Sequence, residues 1–348
     1  MAYRSVWLIA NPTAGRKGGL TLNASGPEEA RAALERSGLA PELRVTERPG
    51  HATLFARQAV AAGADLIVAA GGDGTVHEVA AALIRTPHAA RSAATLAILP
   101  LGSMMNLARA LGIPRGLDEA AALIARGRIV WMDVGIVRTA ATESFFLEAA
   151  GVGLDAGIFA YGNQLEGGKW RYLLPLLRFL ARYRARPARV EVDGRRITVP
   201  RALMLSVAIS PYIGMALTLA PGAKLDDRHF DVVVREAAGR ADMVRHAAAM
   251  LFGTRPRSPR AVTLRGRRVS VDHLDGPMLV HADGELVGRT PAELELLPGA
   301  LPVVAARPGR GAVPAGAPTR AGRTPAAPTR LAHTTTPPAA PGRPRQPR

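Results

Sequence analysis

The chain has 348 residues, 48% of them hydrophobic and 21% charged, a balance that excludes a wholly disordered protein and leaves room for two domains. It has no cysteine, so disulfides and thiolate metal centres are excluded, and a reducing cytoplasm is the expected compartment. The net charge of +17 is unevenly spread: residues 307–348 hold eight Arg and no acid, leaving 17 − 8 = +9 for the remainder. That tail of Pro, Ala, Thr and Gly cannot bury enough apolar surface to fold. The basic surplus of the rest suits nucleotide phosphates or acidic lipid. Nucleic acid is not expected as a partner, because aromatic residues are only 4% and no recognition motif is present.

The opening apolar run, "VWLIA", is too short for a signal-peptide core and reads as a first strand. From there to about residue 130, strand and helix patterns alternate. "SVWLIA" predicts a strand and "PEEARAALERSG" a helix; "ELRVTE" a strand and "ATLFARQAVAAG" a helix. "DLIVAAG", "TVHEVAAALIR", "TLAILPLG" and "LDEAAALIARG" continue the alternation. This is the pattern of a doubly wound, parallel-sheet α/β domain, assigned to residues 1–133. After Asp133 the pattern changes to short strands with turn residues between them: "FFLEAAGVG", "ARVEVDG", "RRITVP", "ALMLSVAIS", "FDVVVRE", "AVTLRG", "RRVSVD" and "MLVHADGE". Residues 134–305 are therefore expected to form an antiparallel β-sandwich, with helices at Lys169–Arg186 and Ala241–Phe252 and a last strand able to return to the first domain. Residues 306–348 are the tail.

Ala202 to Ala223 lacks charge and is long enough to span a bilayer, but Ser206, Ser210, Pro211, Gly214, Pro221 and Gly222 would break a helix there. We read it as a buried strand and a loop, with no transmembrane span.

Two small-residue turns carry the chemical signal. In "AAGGDGTVHEV", Gly71, Gly72 and Gly74 let backbone N–H groups approach a phosphate, and the following helix aims its N-terminus at the same point. A carboxylate is out of place beside phosphates. Asp73 makes sense there if a cation such as Mg²⁺ lies between, or if it orients an attacking hydroxyl; the bland alternative is a helix cap. The second turn, "NPTAGRKGG" (Asn11–Gly19), follows the first strand, so both turns would meet at the carboxyl edge of the sheet, with Arg16 and Lys17 as charge for phosphates. Neither G-x-x-x-x-G-K-[ST] nor G-x-G-x-x-G after a first strand is present, which argues against a P-loop and a dinucleotide fold. Histidines 51, 77, 88, 246, 273 and 281 lack zinc-site spacing, and solvated or capping roles are expected for them.

"NPTAGRK", "AAGGDGTVHEV", "LPLGSMMNLARALGIP", "APGAKLDDRHFDVVV" and "HADGELVG" occur in an order and spacing that resembles the diacylglycerol kinase catalytic family, which includes bacterial lipid kinases and sphingosine and ceramide kinases. The resemblance runs from residue 5 to about 305. It implies ATP bound by Asn11, Pro12, Thr13, Ala14 and Gly15, by Thr46, by Gly71, Gly72, Asp73, Gly74, Thr75, Val76 and His77, and by Ser103, where the family usually has Thr. It implies a structural Mg²⁺ held by the backbone carbonyls of Lys224 and His229 and the side chain of Asp227. It also implies Glu285 as catalytic base, in a water-linked network with Asp73 and a KLDD carboxylate. Without the family, "DGE" reads as an ordinary hairpin turn.

The chain departs from the family pattern in two places. Where many members read G-T-x-N-D-F-A-R it has "GSMMNLAR", so Met105 and Asn106 replace Asn and Asp and a cleft carboxylate is lost. After KLDD, the usual Gly-Tyr becomes Arg228 and His229.

A kinase acting on lipid must visit a membrane. "KWRYLLPLLRFLARYRAR" mixes apolar, aromatic and basic residues with no acid, and suits either a helix lying in the headgroup region of anionic lipid or one packed on the β domain. Trp170, Tyr172, Phe179 and Tyr183 fit either role. The function expected is an ATP- and Mg²⁺-dependent lipid kinase in the cytoplasm, peripherally membrane-associated and compatible with a homodimer. An NAD kinase-like enzyme and a non-catalytic nucleotide or lipid binder are the competing readings.

Overall fold

The computed structural model describes residues 3–17, 20–21, 26–85, 94–102, 105–166, 170–213, 217–218, 220–237, 239–251 and 261–306. Fifteen strands share one hydrogen-bonded network, and we number them in chain order. The first four are β1 (Val6–Ala10), β2 (Pro41–Val45), β3 (Leu66–Gly71) and β4 (Thr95–Pro100). They lie parallel in the order β2-β1-β3-β4. Every residue of β1, β3 and β4 is buried, which explains their unbroken apolar sequences: a parallel strand covered on both faces has no polar side to alternate with. The cover comes from α1 (Pro27–Arg36), α2 (His51–Ala61), α3 (Asp73–Arg85), α4 (Asn106–Ala110) and α5 (Leu117–Arg126). Helices α1 and α5 pack together, as do α2 and α3, forming the helical layers of the doubly wound domain that the alternation implied.

The remaining strands are antiparallel: β5 (Arg128–Thr139), β6 (Glu143–Phe146), β7 (Ala149–Gly153), β8 (Arg186–Val192), β9 (Arg195–Ala208), β10 (Phe230–Glu236), β11 (Ala261–Gly266), β12 (Arg268–His273), β13 (Leu279–Ala282), β14 (Glu285–Arg289) and β15 (Ala292–Ala305). They build the β-sandwich. "RRITVP" and "ALMLSVAIS", expected as two strands, are one strand, β9. Its first half pairs with β8 and its second half with β7 and β10, with register shifts around Ala202. Pro200 fits just before this irregularity, where a strand passing from one layer to the other can spare an N–H. The uncharged stretch from Ala202 is thus a buried strand as expected, and no helix among the described residues is long and apolar enough to cross a membrane.

Several elements were not anticipated. β5 runs unbroken through Asp133, and β15 pairs along it with an irregularity between Leu297 and Leu301. β15 also pairs with β12, and Val303 lies parallel to Leu96 of β4, so the last strand joins the parallel sheet, the return that the sequence had allowed for. α6 (Leu154–Glu166) follows β7 directly. The expected helix at Lys169–Arg186 is shorter: a 3₁₀ turn at Trp170–Tyr172, then α7 (Leu173–Arg182), with β8 already begun at Arg186. The second expected helix is α8 (Arg240–Leu251). Lys169, Phe252 and the tail lie outside the described residues.

Candidate active site

The carboxyl ends of β1, β2 and β3 present the predicted nucleotide turns side by side. At the end of β1, Asn11 donates its backbone N–H to Ala70 O at 2.9 Å and its side-chain amide to Thr75 Oγ1 at 3.3 Å. Its Oδ1 accepts from Thr13 N at 2.9 Å and Thr13 Oγ1 at 2.8 Å, an Asx turn that sets the path of Pro12, Ala14 and Gly15. Thr46, buried, donates its N–H to Ala10 O at 2.9 Å. The loop after it is held by Glu78 of α3, whose carboxylate accepts from Gly50 N and Ala52 N at the start of α2. Asn11–Gly15, Thr46 and Gly71–His77 are therefore gathered at one edge, as a doubly wound ligand site requires.

Two glycines are fixed by close approach. A Cβ on Gly71 would lie 2.4 Å from Thr75 Oγ1, and one on Gly102 would lie 2.7 Å from the Gly72 Cα. The turns after β3 and β4 therefore touch backbone to backbone, with Leu101 N and Gly102 N both donating to Gly71 O at 3.1 Å. Ser103 lies outside the described residues.

Asp73 stands at the first position of α3. Its Oδ2 accepts from Met105 N at 3.0 Å, while Oδ1 is buried without a hydrogen-bonding partner. Burial raises its pKa, the Met105 N–H opposes the rise, and the nearby Asp283 carboxylate adds to it. A partly buried carboxylate with one oxygen unpaired is suited to accept from a hydroxyl or to face a cation.

Asp283 arrives from the other end of the chain. Asp283 and Gly284 both have positive φ, and Ala282 pairs with Glu285, which makes the β13–β14 connection a two-residue turn. "DGE" is thus a hairpin turn, but one with a second task. Asp283 accepts from the backbone N–H groups of Leu147, Glu148 and Ala149 at 2.7, 2.9 and 3.1 Å, and its Oδ2 lies 3.5 Å from His77 Nδ1 of α3. The His77 ring stacks on Phe145 of β6 at 4.1 Å between centroids. Glu285 itself is exposed at the start of β14. Two residues of chain reach at most about 7 Å, so it stands within that distance of Asp283, whose side chain meets α3.

His281, one residue before this hairpin's bend, is 1% exposed rather than solvated. Its Nδ1 accepts from Gly284 N at 3.2 Å, which leaves the proton on Nε2, and Nε2 lies 3.5 Å from Asp155 Oδ2. Ser206 Oγ donates to the same oxygen at 3.2 Å. These buried groups brace the turn from below. His246 is likewise buried, with burial lowering its pKa. His88 lies outside the described residues.

One further residue of this region, Glu148, escaped the sequence reading, and it meets the already noted Asn106. Asn106 donates from Nδ2 to Glu148 Oε2 at 3.2 Å, both side chains being buried. Burial, then the Asp283 and Asp73 charges, hold the Glu148 acid well above the usual glutamate range. The signal for Glu148 was present in "FFLEAAGVG": an acid in an otherwise apolar stretch is costly to bury and needs a reason.

The KLDD turn keeps different company. Asp133, fully buried on β5, accepts from Arg228 N at 2.6 Å and Gly299 N at 2.8 Å and donates its own N–H to Leu225 O at 2.7 Å. The Asp227 carboxylate pairs with Arg265 and accepts from His229 N at 3.2 Å, and His229 Nδ1 contacts Asp227 O at 2.8 Å. Asp231 Oδ2 is buried without a partner nearby. These polar partners do not include Asp73.

Residues 5–137 match the diacylglycerol kinase catalytic domain, and residues 149–305 match the YegS C-terminal NAD kinase beta sandwich-like domain. Residues 5–137 thus carry the diacylglycerol kinase catalytic domain, followed by its YegS-type sandwich partner. The expectation drawn from its motifs holds, as does the expected pairing of an α/β domain with a β-sandwich. A curated diacylglycerol kinase of Staphylococcus haemolyticus is 28% identical over 287 residues, covering 82% of this chain and 83% of that one. One from Staphylococcus aureus is 27% identical, covering 82% and 87%. The crystal structure of a diacylglycerol kinase from Bacillus anthracis shares the fold, with a TM-score of 0.66 and 22% identity over 88% of this chain and 98% of that one.

The magnesium site implied by the family is an all-oxygen donor set, and the unpartnered Asp231 Oδ2 beside it suits a hard cation. No described cluster of three acidic or histidine side chains is tight enough to hold a metal alone, so backbone carbonyls must contribute. Arg265 competes for Asp227.

Proposed function

We propose that this chain transfers the γ-phosphoryl group of ATP, with Mg²⁺, to a hydroxyl of diacylglycerol or a related lipid. The observation carrying this reading is the contact between His77 and Asp283, which draws the acidic hairpin of the sandwich onto the helix that opens the glycine-lined turn. In the reaction, the lipid oxygen forms a bond to the γ-phosphorus as the bond to the ADP oxygen breaks, and the hydroxyl proton passes to a carboxylate. Glu285 is the assigned acceptor. Asp73 orients the reacting groups from the opposite side, and the N–H groups of residues 71–75 face the phosphates. Mg²⁺ accompanying ATP would neutralise phosphate charge, and a separate structural Mg²⁺ at the KLDD turn would be held by the backbone carbonyls of Lys224 and His229 and the Asp227 carboxylate.

Helix α7 supports a peripheral membrane contact. Leu176 is buried and Phe179 and Tyr183 pack on the sandwich core, where the Tyr183 hydroxyl donates to Leu203 O at 2.7 Å. The other side leaves Leu173, Leu174 and Leu177 exposed beside Arg178 and Arg182. One helix thus combines a packed face and an apolar, basic face suited to anionic headgroups.

The test is transfer of labelled phosphate from ATP to a panel of lipid alcohols in mixed micelles, with NAD as a further acceptor. Labelled lipid product supports the reading. Labelled NAD alone, or no product with any acceptor, overturns it.

A further inference from the structure

The amide of Asn106 meets a carboxylate in the interior, far from it in the chain. Asn106 is 3% exposed and Glu148 8% exposed, and the two side chains are joined at 3.2 Å. Asn106 directly follows Met105, whose N–H is the donor to Asp73 Oδ2. Met105 sits in a left-handed conformation, φ 50° and ψ 49°, which a non-glycine residue adopts only when its neighbours hold it. On the other side, the backbone N–H of Glu148 donates to Asp283 at 2.9 Å. One residue therefore grips both halves of the site: its side chain holds the segment that binds Asp73, and its main chain holds the hairpin that carries Glu285. A buried acid without such a task would be expensive beside an apolar residue of equal size.

We propose that the buried Asn106–Glu148 pair is a positioning element that fixes Asp73 relative to the 283–285 hairpin. This rests on the kinase reading above for its catalytic consequence, but the pairing stands on geometry alone.

The test uses four full-length proteins: wild type, Asn106→Asp, Glu148→Gln, and the double variant carrying both changes. Each single change alters the number of carboxylates in the 106–148 pair, to two or to none, whereas the double variant returns it to one. Displacement of the catalytic groups by an ångström costs about 100-fold in turnover. Each single variant should therefore lose roughly that factor in kcat with little change in the KM for ATP, and the double variant should recover most of it. A purely structural role would instead reduce the folded fraction and leave kcat per folded molecule unchanged. A double variant as poor as the product of the two singles overturns the proposal. Denaturant unfolding of the same four proteins gives a readout that needs no activity: the two substitutions should show coupled, not additive, effects on stability. If wild type phosphorylates no lipid, the kinase reading fails while the unfolding cycle still decides the pairing, and additivity there overturns it.

Discussion

Replacing Gly102 by Ala should damage catalysis more than stability, for a reason that can be worked through from distances. The added Cβ would lie 2.7 Å from the Gly72 Cα and 3.0 Å from Met105 Sδ. Carbon atoms pack at about 3.5–4.0 Å, so the turns after β3 and β4 must separate by roughly 1 Å. The Met105 sulfur can swing aside, but the Gly72 backbone cannot move without carrying Asp73 with it. Overpacking of this kind costs about 1–3 kcal/mol, and each kcal/mol lowers Tm by about 2–4 °C. A shift of that size between the phosphate-facing turn and the acidic hairpin should cost about 100-fold in turnover. The matched control is Gly239→Ala, where a Cβ meets nothing within 4 Å. Calorimetry and a coupled ADP-release assay on both variants decide the matter. If Gly102→Ala behaves like Gly239→Ala in both, the backbone contact between the turns does not set the site's geometry.

Three other outcomes are expected. Asp73→Asn should reduce turnover by about 10²–10⁴-fold while leaving Tm unchanged or raised, because burial penalises the native carboxylate and its Oδ1 is unpartnered; a clear fall in Tm would show a structural role instead. Glu148 has a folded pKa above its unfolded value of about 4.5, so the native state binds an extra proton and stability falls as pH rises from there towards the folded value. The Tm of Glu148→Gln relative to wild type should therefore climb between pH 5 and 8, and a constant difference would contradict the assignment. Leu174 and Leu177 are each 53% exposed, so Leu174→Glu and Leu177→Glu should keep Tm. Each should cut co-sedimentation with vesicles of anionic phospholipid by about tenfold or more, whereas unchanged binding would remove α7 from the membrane contact.

The parallel half of the fold was legible because its strands and helices announce themselves by period. β1, β3 and β4 are solid apolar runs, and the helices between them alternate with the strands at short, regular spacing. The sandwich was harder. β9 contains Pro200 and reads as two strands until its switch between layers is seen, and α6 follows β7 with only Gly153, at φ 108°, to mark the change. β5 and β15 were missed because each is long and bent, and a strand serving two neighbours along its length does not keep one polarity pattern.

The site divides along the same line. Asn11, Thr46 and the 71–77 turn could be placed from their positions after strands, since the sheet edge dictates their meeting. What no local pattern revealed was pairing across the chain: Asp283 with His77, and Asn106 with Glu148. These join residues more than forty positions apart, as the 42-residue separation of the second pair illustrates, and depend on how the two halves fold together.

The central claim is that a glycine-lined turn and an acidic hairpin act together on the terminal phosphate of ATP. Single-turnover transfer of labelled phosphate to diacylglycerol, by wild type and by Glu285→Gln at saturating ATP, measures this most directly. Wild type should form labelled lipid, and the variant should bind ATP equally well but transfer about 10²–10⁴-fold more slowly. Equal rates in the two proteins would contradict the account.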